Sequence, residues 1–171
     1  MGDQFAILIG DHSTIVSCRK PYVGWRKFSP LIFNVVNSLR QTELIASVER
    51  FAVKYVNLIQ EKDLKTQFSA VNLEAQMGKY GLTDHLTMFR TEIEDKGFTN
   101  IVEIVPNSNL QMLTGERLTG LLLTIDTIHK NPSKFWDDSE KLINAAHDTE
   151  KNFFFEILSE NALKKCDPVW E

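Results

Sequence analysis

Two short apolar runs, 5–10 and 13–19, are separated by Gly10-Asp11-His12, a grouping rich in turn formers, and together they predict a β-hairpin at the start of the chain. After the breaker Pro21-Tyr22-Val23-Gly24, the residues Trp25, Phe28, Ile32, Val35, Val36 and Leu39 recur at helical spacing and fall on one stripe. Pro30 lies inside that stripe. It removes a backbone donor and crowds the carbonyl four residues earlier, which predicts a kink or a fresh helix start capped by Ser29. From 48 to 59, Phe51, Val53 and Tyr55 alternate with Arg50 and Lys54, the period of a half-buried strand.

The stretch 60–83 is mixed: Leu64, Phe68 and Val71 fit a short helix, and Gly78 and Gly81 break its end. Three strands are expected next, over 85–93, 99–105 and 118–128, joined as a meander. The last is apolar on both faces at Leu121-Leu122-Leu123 and Ile125, which marks a central strand. Asn131-Pro132 ends the sheet, and Asp137 or Asp138 with Glu140 supplies capping oxygen and negative charge for a long final helix. Leu142, Ala146, Thr149, Phe153 and Ile157 form its stripe, widened by Ile143 and Phe154, and Lys164-Lys165 suits its C-terminal end. Phe155 projects to the side opposite Ala146, among Asn144, Asp148 and Lys151.

Adjacent strands without βαβ alternation predict an α+β fold, a mainly antiparallel curved sheet of five to seven strands with two main helices packed on one face. No repeat or compositional shift divides residues 1–171, so one domain is expected. The 171 residues suffice for one hydrophobic core without disulfides or metals. A hydrophobic fraction of 43% and a charged fraction of 25% exclude disorder as the main state. Cys18 and Cys166 lie far apart with no CxxC or His/Cys cluster, which excludes a disulfide framework or zinc site and fits a reducing cytoplasm. The first residues lack the basic start of a signal peptide, and no apolar run approaches the roughly 18 residues of a membrane-spanning helix.

Candidate chemistry is sparse. His12 shares the hairpin with Ser13 and Ser17, but no GxSxG elbow positions a nucleophile, and Cys18 reads as a small strand filler. His147 and Glu150 lie one helical turn apart, with Glu140 two turns before His147; no matching Glu-x-x-His on a second helix completes a carboxylate-bundle metal site, so no metal or other cofactor is expected. Asp126 interrupts an apolar strand and must face solvent, find donors or shift its pKa; with His129 and Tyr55 it forms a candidate ligand-binding lining between sheet and final helix. None of the glycines falls in a phosphate-loop spacing. Arg19, Lys20, Arg26 and Lys27 surround Tyr22 and Trp25, a pattern able to grip single-stranded nucleic acid through charge and stacking. The net charge of -4 opposes that grip and favours a solvated basic border.

Pro21-Tyr22-Val23-Gly24-Trp25-Arg26-Lys27-Phe28 and Phe51-Ala52-Val53-Lys54-Tyr55-Val56-Asn57-Leu58-Ile59 resemble the PYxGW-xxF and RYxNxI signatures of a sporadically distributed prokaryotic family of uncharacterised proteins. Gly120-Leu121-Leu122-Leu123-Thr124-Ile125-Asp126 is similar to that family's Gly-x-Leu-x-x-Asp-x-Asp strand region. Ala146-His147 and the segment from Phe154 to Leu163 resemble its histidine-bearing helix and terminal Phe-x-x-x-Ile-Thr-x-x-Ala. The resemblance implies an additional N-terminal strand and helix before the hairpin, so this chain is expected to be a shortened form or an excised domain. Lys54 stands where arginine is common, which would weaken a bidentate carboxylate contact. The resemblance implies no reaction and no cofactor; sporadic occurrence associates it with mobile elements or defence.

The expectation for function is a noncatalytic protein-interaction or self-associating module, with Phe155 and Trp170 as candidate interface residues. The alternative is a ligand or enzymatic site at Asp126, His129 and Tyr55.

Overall fold

A computed structural model of the chain describes residues 4–111 and 115–166. The hairpin forms where the apolar runs predict it: β1 (Phe5–Ile9) pairs antiparallel with β2 (Thr14–Cys18), and the Gly10 amide donates to the Ser13 carbonyl to close the turn. The two strands form a sheet of their own. Helix α1 (Trp25–Gln41) comes next, preceded by Gly24 at φ 86°, a conformation that favours a residue without Cβ. It begins at Trp25 and continues through Pro30, so no fresh start occurs at Ser29.

Strand β3 (Arg50–Ile59) opens the main sheet, followed by the short helix α2 (Leu64–Ser69) and the two-residue strands β4 (Gln76–Met77) and β5 (Tyr80–Gly81), which pair only with each other. Asp63 caps α2 through a capping box: its carboxylate accepts from the Thr66 amide while the Thr66 hydroxyl faces the Asp63 amide. A 3-10 turn over Leu82–Asp84 leads to β6 (Phe89–Asp95), β7 (Phe98–Gln111) and β8 (Arg117–Lys130). The main sheet is antiparallel, in the order β3-β8-β7-β6. It has four strands rather than five to seven, because β1–β2 and β4–β5 remain separate ladders. The α+β antiparallel class is as expected.

Two departures have local causes. Strand β6 starts at Phe89 because the chain before it is held in a turn, where His85 N–H and the Thr87 hydroxyl both donate to the Leu82 carbonyl. The final helix is not continuous. α3 (Phe135–Ile157) is interrupted at Asp138 (φ −114°, ψ 17°) and stops before Leu158, and α4 (Glu160–Cys166) begins afresh. The exit of α2 competes for backbone partners there: Asn72 N–H donates to Ile157 O, Ser159 N–H donates to Ala70 O, and the Asn72 side-chain amide donates to Glu156 O and Leu158 O. The orphan carbonyls of the helix end are thereby satisfied by a neighbouring segment.

The chain packs as two units, residues 1–48 with 133–142 and residues 49–132 with 143–171. In the first, Phe28 of α1 is buried and gathers Phe5 (ring centroids 5.9 Å apart), Tyr22 and Trp25. In the second, one face of the sheet carries Val102, Ile104, Leu121, Leu123 and Ile125 against Phe68, Ala70 and Val71 from α2 and its exit, and against Leu158 and Ala162. The backbones approach closely at Gly120, where a Cβ would lie 2.2 Å from the Ile59 carbonyl oxygen. Fully buried Gln67 ties α2 to the β7 bulge, accepting from the Asn107 amide and donating to the Asn107 side chain.

Candidate functional site

Register decides which predicted site residues meet. Tyr55 pairs with Ile125, and Phe51 pairs with His129, so Tyr55 and His129 share the helix-covered face but stand four residues apart along their strands. Asp126 pairs with Lys54 and Ile101 and therefore points from the opposite face. Tyr55, Asp126 and His129 do not converge on one lining. His129 is held between aromatic rings, stacked on Phe51 (5.6 Å) and edge-on to Phe98 (5.4 Å).

Tyr55 does reach the final helix. Its hydroxyl and Nδ1 of His147 share a hydrogen bond of 3.1 Å, and their rings lie 5.8 Å apart. Burial holds the His147 imidazole neutral by pushing its pKa down to about 4. Glu150 lies one turn further along α3 and is only 3% exposed; desolvation pushes its pKa up to about 8, and among the described residues its Oε1 has no hydrogen-bond partner. A carboxyl in that position is stable in its protonated form at neutral pH. Beside Tyr55 on the same face, the Thr127 hydroxyl donates to Asn100 Oδ1, whose amide donates to the Ile93 carbonyl, so the sheet's polar row is internally satisfied. On the far face, desolvation raises the pKa of Asp126, opposed by Lys54 and Arg50, and its Oδ1 is also buried with no hydrogen-bond partner among the described residues.

On the helix-covered face, Tyr55 with His147 and Thr127 with Asn100 form a hydrogen-bonded polar layer beside the apolar core. Glu140, the third residue of the sequence's metal pattern, is exposed, and among the described residues no three His, Cys, Asp or Glu side chains are placed to hold a metal ion. A depression of about 370 Å³ lies elsewhere, lined by Asn109, Leu110, Gln111 and Arg117 at the end of the β7–β8 ladder.

Of the candidate interface residues, Phe155 is half-buried and edge-on to Phe154 (5.5 Å), and Trp170 lies outside the described residues. Arg19, Lys20, Arg26 and Lys27 are exposed, but Trp25 is half-buried with its ring edge-on to Phe28 (6.5 Å), so it contributes to the first unit's small core.

The surface that sequence reasoning missed is the hairpin itself. Ile7, Leu8, Ile9 and Ile15 are 45%, 60%, 74% and 52% exposed, and no residue of β1 or β2 is charged. The signal for it was the lack of charge along both strands of a hairpin, since soluble edge strands ordinarily carry charge, proline or bulges that block pairing. No family model, curated protein or solved structure matches the chain. Among the described residues no helix is long and apolar enough to cross a membrane.

Proposed function

We propose that the protein is a noncatalytic protein-interaction module that docks through the β1–β2 hairpin. The observation that carries this reading is the combination of high exposure at Ile7, Leu8, Ile9 and Ile15 with a two-stranded ladder that, among the described residues, has no third strand on either side. Exposed apolar surface of this kind costs solubility unless a partner covers it, and unpaired strand edges offer backbone donors and acceptors to that partner. The polar groups of the second unit favour the same reading from the other side: His147 and Glu150 are 9% and 3% exposed, with Tyr55 already engaged, which suits a structural role better than turnover of a substrate.

The test places a photo-crosslinking side chain at Leu8 in the full chain, expressed in its own cells, beside the same chain carrying Ile15→Lys. The expected result is a protein adduct, to itself or to another chain, that is strongly reduced by Ile15→Lys while the circular dichroism stays that of the parent. Absence of any adduct from a folded chain overturns the reading.

A further inference from the structure

The hairpin is charged only at its two ends. Asp11 sits in the turn, and Arg19 and Lys20 follow β2 at the base; all three are exposed, and among the described residues none of them makes an ion pair. Between them, Leu8 and Ile15 stand opposite each other on the ladder, on the face away from Phe5, which is stacked on Phe28. That face carries the apolar pair and, two pairs toward the base, Ala6 and Ser17.

Resting on the docking role of the hairpin, we propose that its partner is a second copy of this chain, joined about a two-fold axis that sets the two hairpins antiparallel. The Leu8–Ile15 faces then meet, and Asp11 of each copy comes to Arg19 and Lys20 of the other. Symmetry supplies the first reason. A two-fold contact is self-complementary, so a hairpin whose acidic end and basic end lie at opposite ends of an apolar face matches its own copy when reversed. Screening supplies the second. Five strand residues at about 3.3 Å each separate tip from base by about 17 Å, twice the Debye length of about 8 Å at physiological ionic strength, so within one hairpin these charges hardly neutralise each other. A reversed neighbour brings them into contact, whereas a parallel neighbour would set Asp11 beside Asp11 and the basic pair beside its copy. The apolar face supplies affinity, and the rim charges choose the orientation.

Sedimentation velocity of the full chain over a dilution series tests this. The parent is expected to dimerise. Asp11→Lys alone, and Arg19→Glu with Lys20→Glu, should each weaken dimerisation about tenfold or more. An equimolar mixture of these two chains should restore it as a heterodimer, because one then carries positive charge at both ends and the other negative charge at both ends. The chain carrying all three substitutions should dimerise like the parent. Matching melting curves identify folded variants. A dimer that the charge variants leave intact, or that the mixture does not restore, overturns the antiparallel geometry. A monomeric parent overturns the second copy as partner; hairpin-dependent adducts to a different protein would then leave the docking role standing, and their absence would remove that role as well.

Discussion

The outer strands of the main sheet and the strands of the hairpin face the same physical problem, a row of unpaired backbone groups, and meet it differently. On β6, Arg90, Glu92 and Glu94 alternate along the exposed face, with Arg90 bonded to Glu92 and Glu103; on β3, Arg50 and Lys54 do the same. A foreign strand approaching either edge must desolvate those charges. The hairpin has no such protection along Phe5–Ile9 or Thr14–Cys18, and its apolar side chains are its most exposed ones. The difference teaches that apolar content alone does not locate this chain's core. Leu123 and Leu8 are equally hydrophobic, yet one is 0% and the other 60% exposed.

That contrast can be broken most sharply by truncation. Leu123→Ala should cost about 3 kcal/mol, because it opens a cavity in a fully buried cluster, while Leu8→Ala should change stability by less than about 0.5 kcal/mol; urea titrations of both variants decide it. Equal losses would mean that the hairpin is as tightly packed as the sheet. Glycine replacement should give a similar division. Gly120→Ala drives a Cβ into the Ile59 carbonyl and should cost about 3 kcal/mol, whereas Gly10→Ala meets nothing nearer than 3.6 Å and should be close to neutral in thermal melts.

A third test uses the polar layer of the second unit, which the hairpin lacks. Glu150 has its pKa raised from 4.5 to about 8, so the folded state retains a proton that the unfolded state loses, and its contribution falls as pH rises between those values. His147 is lowered from 6.5 to about 4, so its contribution rises with pH across that interval. The two slopes oppose each other between pH 4.5 and 6.5. Above 6.5, of the two only Glu150 still titrates, and stability should decline by on the order of 1 kcal/mol per pH unit up to about pH 8. Glu150→Gln should abolish that decline and raise the melting temperature at pH 8.5 over the parent; a parallel fall in both proteins would show that Glu150 is not its source. The smallest effect belongs to a helix end: Asp63→Ala removes the α2 capping box and should lower the urea midpoint of equilibrium unfolding slightly, less than Leu123→Ala or Gly120→Ala does.

Much of the second unit is legible in the sequence. The alternation around Tyr55 and the doubly apolar Leu121-Leu122-Leu123 place β3 and β8, because period and β-branched content reflect burial directly. The extension of β7 past Pro106 is not, since it depends on a bulge braced by Gln67 from 40 residues away. The break after Ile157 is hidden for the same reason: the groups that satisfy it come from Ala70 and Asn72. At the candidate site, the sequence singles out Tyr55 and separately His147 with Glu150, but the Tyr55–His147 association spans 92 positions. Asp126 and His129 are three residues apart on β8, so strand alternation turns them to opposite faces and removes Asp126 from the lining expected of it.

Local chemistry in the chain determined the hairpin, the helical stripes, the central strand and the charge at the hairpin's two ends, because turn residues, periodicity and ionisation act over a few neighbouring positions. Tertiary structure alone decided that His147 would meet Tyr55, that Glu150 would lose its water, and that Leu8 and Ile9 would be exposed. Register and packing join residues far apart in sequence, and burial is a property of what those distant segments bring with them.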